Sequence, residues 1–368
     1  RMTGATKDAE EFMLLGSTSP PKKTKKCRSR NSSMKNKKFW NTRAAGLLLC
    51  LALPVIPTQA ANEVPDPLSL EQALTFAEKH PRTQLSAEIA ARYPASRPLY
   101  LDCHNLAYNN SASPDNQRDR LLPSLVAPID AQRLEIMQRF FDVLLADSSA
   151  VRDNENMAVY FIPLDRTKTR MELKEFSELD VAELDAEYQV VRQQGAASIA
   201  SQRLTRSLLA QAINNPEKLP NELQPPTLPA PPAELPTTEE LLKAALDSDH
   251  LSDLLDDADA PQRALLDMEI RQQILELVLR LDIFKVAAER NKAETLWRDY
   301  YLERSRTLYE QEVKSDIGDA MTQQSKVRLQ QQQIQFCSVL ALAQLNALQG
   351  KPVWPLATTA AKPEEKTP

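Results

Sequence analysis

From Gln262 to Gly350 the chain runs for 89 residues without a proline, and Gly318 is the one glycine before the last position. Helix-breaking residues are missing over a length that no single strand or loop covers. Within it, Ile270, Ile274, Leu277, Leu281, Phe284 and Ala288 advance in steps of four and three. Further on, Ala320, Val327, Ile334, Ala341 and Leu348 recur every seven residues. These are the seams of two long helices of coiled-coil type. Folded back on one another they form an antiparallel hairpin whose arms reach roughly 60 Å at 1.5 Å per residue. The expected shape is a rod, not a globule.

Composition extends this reading to the rest of the chain. There are six glycines in 368 residues, and beyond residue 60 only Gly195, Gly318 and Gly350. Turns in β-rich proteins lean on glycine, so the mature chain is expected to be all-α. Aromatic residues make up 5% of the chain, which suits long helices with modest cores.

The N-terminus reads as an export signal. Met34 precedes a basic segment (Lys35, Lys37, Lys38, Arg43), then an apolar run from Ala44 to Ile56, then Thr58-Gln59-Ala60. These are the three regions of a secretory signal peptide, and the apolar run is short for a membrane span. Leu49 before Cys50 argues against lipidation, since lipoprotein sites want a small residue there. Residues 1–33 have no evident role and read as translated upstream sequence. Residues 1–60 hold twelve Lys and Arg and three Asp and Glu. Their removal takes the balance from 45 and 50 to 33 and 47, a net charge of −14. That opposes phosphate binding, so no nucleic-acid partner is expected, and the basic tract Lys22–Arg30 falls in the discarded part.

Taken in order, the mature chain alternates helix with loop. Ser69 with Gln72 forms a capping box, opening a helix through Ala73, Leu74 and Ala77 to about Ala91, kinked or broken at Pro81. Residues 94–128 carry Pro94, Pro98, Pro114, Pro123 and Pro128 among several asparagines and read as loop. One short strand at Leu99, Leu101 and Cys103 is allowed there, and Asn109-Asn110-Ser111 is a glycosylation sequon without meaning in a bacterial chain. Helix resumes near Ile129 with a seam of Leu134, Met137, Phe141, Leu144, Ser148 and Val151. A break is expected at Ile162-Pro163, with helix returning by Arg166 and running past Arg192 to about Ile213. Asn214, Asn215 and Pro216 form a helix stop. Eight prolines between Pro216 and Pro236 make an extended, fairly stiff link. Helix restarts at Thr238. The acidic run Asp247, Asp249, Asp253, Asp256, Asp257 and Asp259 reads as a solvated turn, since its spacing matches no EF-hand loop.

Two segments echo each other. Residues 69–74 align with 237–242 at an offset of 168, while Asp180, Arg192, Leu209 and Pro216 align with Asp316, Arg328, Leu345 and Pro352 at 136. The 32-residue difference equals about the size of the Pro/Asn-rich loop. The expected organisation is therefore an upstream segment and signal peptide (1–60) followed by a first helical repeat (61–216) with an insertion at about 94–128. A Pro-rich linker (217–236), a second helical repeat (237–352) and a disordered tail (353–368) complete it.

At this point the chain resembles the TolC family of outer-membrane efflux and secretion channels. Leu68-Ser69-Leu70-Glu71-Gln72-Ala73-Leu74 looks like that family's opening helix. Phe140-Phe141-Asp142-Val143-Leu144-Leu145-Ala146 looks like the start of its long descending helix. Arg304 to Pro352, with Tyr309, Asp316, Arg328 and Leu345-Asn346-Ala347-Leu348-Gln349-Gly350-Lys351-Pro352, looks like its final helix and exit. The resemblance implies repeated long antiparallel coiled-coil hairpins of the TolC-like periplasmic α-barrel type. It also implies trimerisation, with a periplasmic adaptor and an inner-membrane pump as partners. Family members add two β-hairpins that build a membrane barrel. Here the second copy leaves no room for one between Arg263 and Glu312, and the first has room for one at most, between Pro98 and Leu122. The hairpin tips, Phe176–Asp180 and Glu312–Asp316, lack the family's glycine.

Chemistry is sparse. His80, His104 and His250 belong to no zinc or protease motif, and Asp102-Cys103-His104 is the densest group of potential ligands. The sequence offers no nucleophile elbow, Walker loop or dinucleotide fingerprint. Hence no catalytic, cofactor-binding or metal residues are assigned, no cofactor is expected, and the chain is not read as an enzyme. Cys103 and Cys337 are either paired, as export permits, or two free thiols. Gln330 to Gln333 lies on a helix and faces water or a polar tunnel, an ordinary exposed face being the default reading. The function expected is envelope transport through a periplasmic helical conduit, in the periplasm in association with the outer membrane. The alternatives are a barrel-less periplasmic coiled-coil scaffold binding another envelope complex, and an outer-membrane channel with a minimal barrel.

Overall fold

The computed structural model describes residues 64–85, 96–108, 122–216, 221–229, 232, 234–311 and 317–354. The expected signal peptide, the sequon, the expected second hairpin tip and residues 355–368 lie outside these.

The described chain is helical. The elements are α1 (Leu70–Thr75), α2 (Cys103–Tyr108), α3 (Leu122–Leu125), α4 (Pro128–Glu172), α5 (Glu178–Ala212), α6 (Thr238–Leu246), α7 (Asp249–Asp257), α8 (Ala260–Glu310) and α9 (Ile317–Leu348), with two 3₁₀ turns at Phe76–Lys79 and Pro81–Gln84. The one β feature among the described residues is an isolated parallel bridge between Leu68 and Leu223.

The capping box expected at Ser69 is present, and three further helix starts carry one that the sequence reading does not single out. Ser69 with Gln72, Ser177 with Asp180, Thr237 with Glu240 and Asp259 with Gln262 all form reciprocal capping boxes, each satisfying two orphan amides. Helix ends share a motif too. Lys174, Asn214 and Gly350 take positive φ at 64°, 56° and 66°. After each, an amide reaches back to the carbonyl five residues earlier: Glu175 to Arg170, Asn215 to Ala210, Lys351 to Asn346. This is the Schellman termination. Glycine suits it without cost at Gly350, whereas Lys174 holds a left-handed conformation that strains an L side chain.

The four long helices form two antiparallel hairpins. α4 packs along α5, α8 along α9, and α4 and α9 along each other. The core concentrates at one end of this row. Ile136, Met137, Phe140 and Phe141 of α4 meet Ile334, Phe336 and Leu340 of α9 and Ile274, Leu277 and Phe284 of α8 within one buried cluster. Phe141 and Phe336 stack face to face at 4.4 Å and 2° across the α4–α9 seam. The second-arm seam is as expected, with Ala320, Val327, Ile334, Ala341 and Leu348 all buried. In the first arm Ile270 to Phe284 are buried but Ala288 is exposed. The seam passes instead to Asn291, whose Nδ2 donates to the Val327 carbonyl at 3.2 Å.

Several expectations need correction. Pro163 does not break α4, which continues to Glu172. The lost hydrogen bond and ring crowding fall on an exposed face, while Leu164 and Thr167 just beyond it are buried and Phe161 meets Tyr188 of α5 at 5.7 Å. The break in this region lies at 173–177, so no helix runs from Arg166 past Arg192. The α4 seam also drifts: Val151 is exposed, and Ser149, Ala150 and Asp153 are buried instead, as a straight helix turns away from a seven-residue repeat. The first helix ends at Thr75 and tightens into 3₁₀, because His80 precedes proline and is extended; of its expected end, 86–91 lies outside the described residues. The acidic run is not a turn, since α7 spans Asp249–Asp257. The tail is not free from 353 onward: Val353 and Trp354 are buried, and Trp354 Nε1 donates to Glu71 at 3.0 Å.

Toward the tips the helices approach closely over small residues. A Cβ added at Gly195 would lie 2.6 Å from Met157 Sδ, and one at Gly318 the same distance from Val159 Cγ1. The thioether can swing aside, but a β-branched side chain fixed to its own helix cannot. Gly318→Ala is therefore expected to destabilise by about 1–2 kcal/mol. Gly195→Ala should be nearly neutral or slightly stabilising through helix propensity. Urea denaturation of the two variants checks the contrast.

Candidate functional site

The groups singled out in sequence converge on a strap, residues 96–108, which lies across the core end of the helix row. Its anchor is Asp142, buried within an apolar run of α4. The Asp142 carboxylate accepts the amides of Leu99 at 2.8 Å, Tyr100 at 2.6 Å and Leu101 at 3.1 Å. That is why Leu99 to Cys103 is not a strand: the amides a ladder would use are taken by one side chain. One turn earlier on α4, Arg139 is buried as well. Its Nε donates to Glu135 at 2.6 Å, and its Nη2 donates to the Ser96 carbonyl. Gln333 Nε2 of α9 donates to the Tyr100 carbonyl at 3.2 Å. Of the glutamine run only Gln331 is exposed, so the run is not a plain solvent face.

Cys103 opens α2 and is bonded to Cys337 of α9, 234 residues away in sequence and with Cα atoms 5.4 Å apart. The free-thiol alternative is therefore not the one adopted. The Asp102-Cys103-His104 group is dispersed by this geometry. Asp102 caps α2 through the Asn105 amide at 3.1 Å, Cys103 faces α9, and His104 Nδ1 lies 3.5 Å from Arg280 Nη2 of α8. Among the described residues no cluster of three metal-ligating side chains exists.

The other two histidines lie outside the strap. The His80 ring bridges the Arg82 amide, through Nδ1 at 3.2 Å, and the Gln211 carbonyl, through Nε2 at 3.2 Å. Donation from Arg82 makes Nδ1 the acceptor, so the neutral Nε2–H tautomer fits both contacts. Burial holds the His80 pKa below its ordinary value of 6.5, against the opposing pull of the Gln211 carbonyl. His250, on α7, is likewise lowered by burial, opposed by Asp253 and Asp130.

Beneath the strap is a cavity of about 480 Å³ between α4, α8 and α9, with both bonded cysteines on its wall. Sequence reasoning found Cys103, Cys337 and the histidines but gave no role to Asp142, Arg139 or Arg280. Their signal was present: an ionisable residue inside an apolar helical run, as in Phe140-Phe141-Asp142-Val143, is buried only when paired.

No family model matches the chain, and no curated protein matches it. Among solved structures, one of CusC, described with conformational changes accompanying folding and transmembrane channel formation, is similar at 13% identity and TM-score 0.44. The match covers 77% of this chain and 92% of that one. The open state of the MtrE outer-membrane channel of Neisseria gonorrhoeae is similar at 12% identity and TM-score 0.40, covering 77% and 89%.

Two expected outcomes follow from the strap and from the imidazoles of His80 and His250. Cys103→Ser, or reduction of the wild type, should lower stability by about 2–4 kcal/mol, because the bond closes a very long loop in the unfolded chain. Thermal denaturation with and without dithiothreitol measures it. His80 and His250 bind fewer protons when folded, so their contribution is complete above pH 6.5 and is lost as pH falls toward the lower folded values. Urea midpoints should drop between about pH 7.5 and 5.5, and His80→Gln should flatten that slope.

Proposed function

We propose that the chain is a TolC-like envelope protein that contributes a helical wall to a periplasmic conduit and carries no covalent chemistry. The observation that supports this most is a bare second seam on α8. Leu265, Met268, Leu275, Leu279 and Val286 are each more than two-fifths exposed and recur at heptad spacing. They stand two residues out of phase with the buried Ile270–Phe284 seam, hence about 200° around the helix. α8 thus offers apolar seams on opposite sides, of which its own chain covers one. At the other end of the row, α5 exposes Leu179, Val190, Ile199 and Leu204. A row of four helices with apolar residues on both edge helices suits closure by further copies of the chain, and the family resemblance implies three.

The Cys103–Cys337 bond supports an oxidising compartment, in keeping with the signal peptide and a periplasmic location. A duplicated organisation is supported by the paired capping boxes at Ser69 and Thr237, and by the paired Schellman ends at Asn214 and Gly350. These pairs stand at the same two offsets seen in sequence, 168 and 136.

The second reading, a barrel-less scaffold binding another envelope complex, is favoured by one specific observation. α8 is continuous from Ala260 to Glu310, so the second copy has no hairpin there to give a barrel. Among the described residues no helix is long and apolar enough to cross a membrane.

Sedimentation of the mature chain should give a trimer, and Leu275→Glu with Leu279→Glu should convert it to monomer without loss of helical circular dichroism. A wild-type monomer would overturn the conduit. Conductance in planar bilayers and recovery in the outer-membrane fraction would favour the conduit over the scaffold; a soluble, non-conducting trimer would favour the scaffold.

A further inference from the structure

The cavity beneath the strap is independent of how copies assemble, and its chemistry is uneven. At about 480 Å³ it falls within the range of small-molecule sites. Its floor is apolar, with Leu134 of α4, Leu277 and Phe284 of α8, and Leu340 of α9. The charged groups on its wall are three arginines and three carboxylates, Arg82, Arg97 and Arg280 against Asp102, Glu135 and Glu276.

The carboxylates are committed. Arg139 Nε holds Glu135 at 2.6 Å, Asn105 holds Asp102 through its amide at 3.1 Å, and Glu276 lies 3.9 Å from Arg280. Arg82 and Arg97 form no ion pair among the described residues. With Glu135 paired to Arg139 and Glu276 to Arg280, the wall keeps Arg82 and Arg97 against Asp102, an excess of one positive charge over an apolar floor. One polar atom points the same way. His250 Nε2 is shielded from solvent and has no hydrogen-bond partner among the described residues, an arrangement that costs free energy unless something fills it. Burial lowers the pKa of this ring from its ordinary value, against the pull of Asp253 and Asp130.

From this juxtaposition we infer that the cavity under the strap is a binding site for a small organic anion with an apolar body. The body rests on Leu277, Phe284 and Leu340. The anionic group meets Arg82 and Arg97, the wall arginines outside the ion pairs, and His250 supplies a hydrogen bond. The disulfide fixes the strap that forms one wall, so the site is complete only in the oxidised chain.

The test uses the mature, oxidised protein with 2-naphthoate and decanoate as probes and 2-naphthylmethanol as the uncharged comparator, read by calorimetry and saturation-transfer NMR. One equivalent of an anionic probe should bind, with the alcohol several-fold weaker. Arg82→Ala with Arg97→Ala should weaken the anion by about fivefold and leave the alcohol unchanged. Gln344→Trp, on the half-buried wall of α9, should abolish binding of both. Preference for naphthoate would assign the site to rigid aromatic acids, and preference for decanoate to alkyl acids. No binding at millimolar concentration, or binding that ignores probe charge, would overturn the inference. So would binding that survives Gln344→Trp in a variant of unchanged circular dichroism, since the probe would then sit on the exposed α8 seam.

Discussion

Everything in this architecture depends on the seam between α4 and α9. Each hairpin is held internally by its own pair of helices, but the two hairpins meet through these two inner helices. The stacked pair Phe141 and Phe336 sits in that seam, where dispersion contacts and burial are greatest. The strap crosses the same place, held to α4 by Asp142, to α9 by Gln333 and Cys337, and close to α8 through His104 and Arg280. A single carboxylate accepting three amides gives the loop a fixed conformation without a strand partner. The covalent bond then ties the early part of the chain to its last helix.

That concentration explains the gradient along the rods. Near the strap the helices bury large apolar side chains. Toward the tips they meet over Gly195, Gly318, Ser198 and Asn291, with Ser198 donating to the buried Asp153. Small and polar contacts of this kind add little apolar burial, so the distal hairpins draw their stability from the core end and from capping. The apolar side chains that remain, above all on α8, face away from the chain's own core. A protein with one seam covered and a second bare on the same helix has an unfinished surface, which is the physical basis for reading it as a subunit of something larger.

Much of this was legible in the sequence because it is local. Capping boxes need four residues, a Schellman end needs six, and a heptad seam repeats within one helix. The second-arm seam from Ala320 to Leu348 was readable for that reason. Reading went astray where a distant partner overrode a local preference. Pro163 is a helix breaker by propensity, yet Leu164, Thr167 and Phe161 hold the helix through it. Leu99-Tyr100-Leu101 has the alternation of a strand, yet Asp142, some forty residues away, takes its amides. Trp354 falls within the segment expected as a disordered tail from residue 353, yet Glu71 receives its indole N–H.

The sequence by itself determined that this chain makes long helices, that helices start at Ser69, near Ile129 and at Thr238 and stop at Asn214 and Gly350, and that the last helix buries the Ala320–Leu348 seam, since period and capping are properties of short segments. Only the tertiary structure decided that Cys103 pairs with Cys337, that Asp142 and Arg139 hold a strap, and that one of the two apolar faces of α8 stays bare. Those outcomes depend on which segments come together across more than two hundred residues, and no local pattern encodes that.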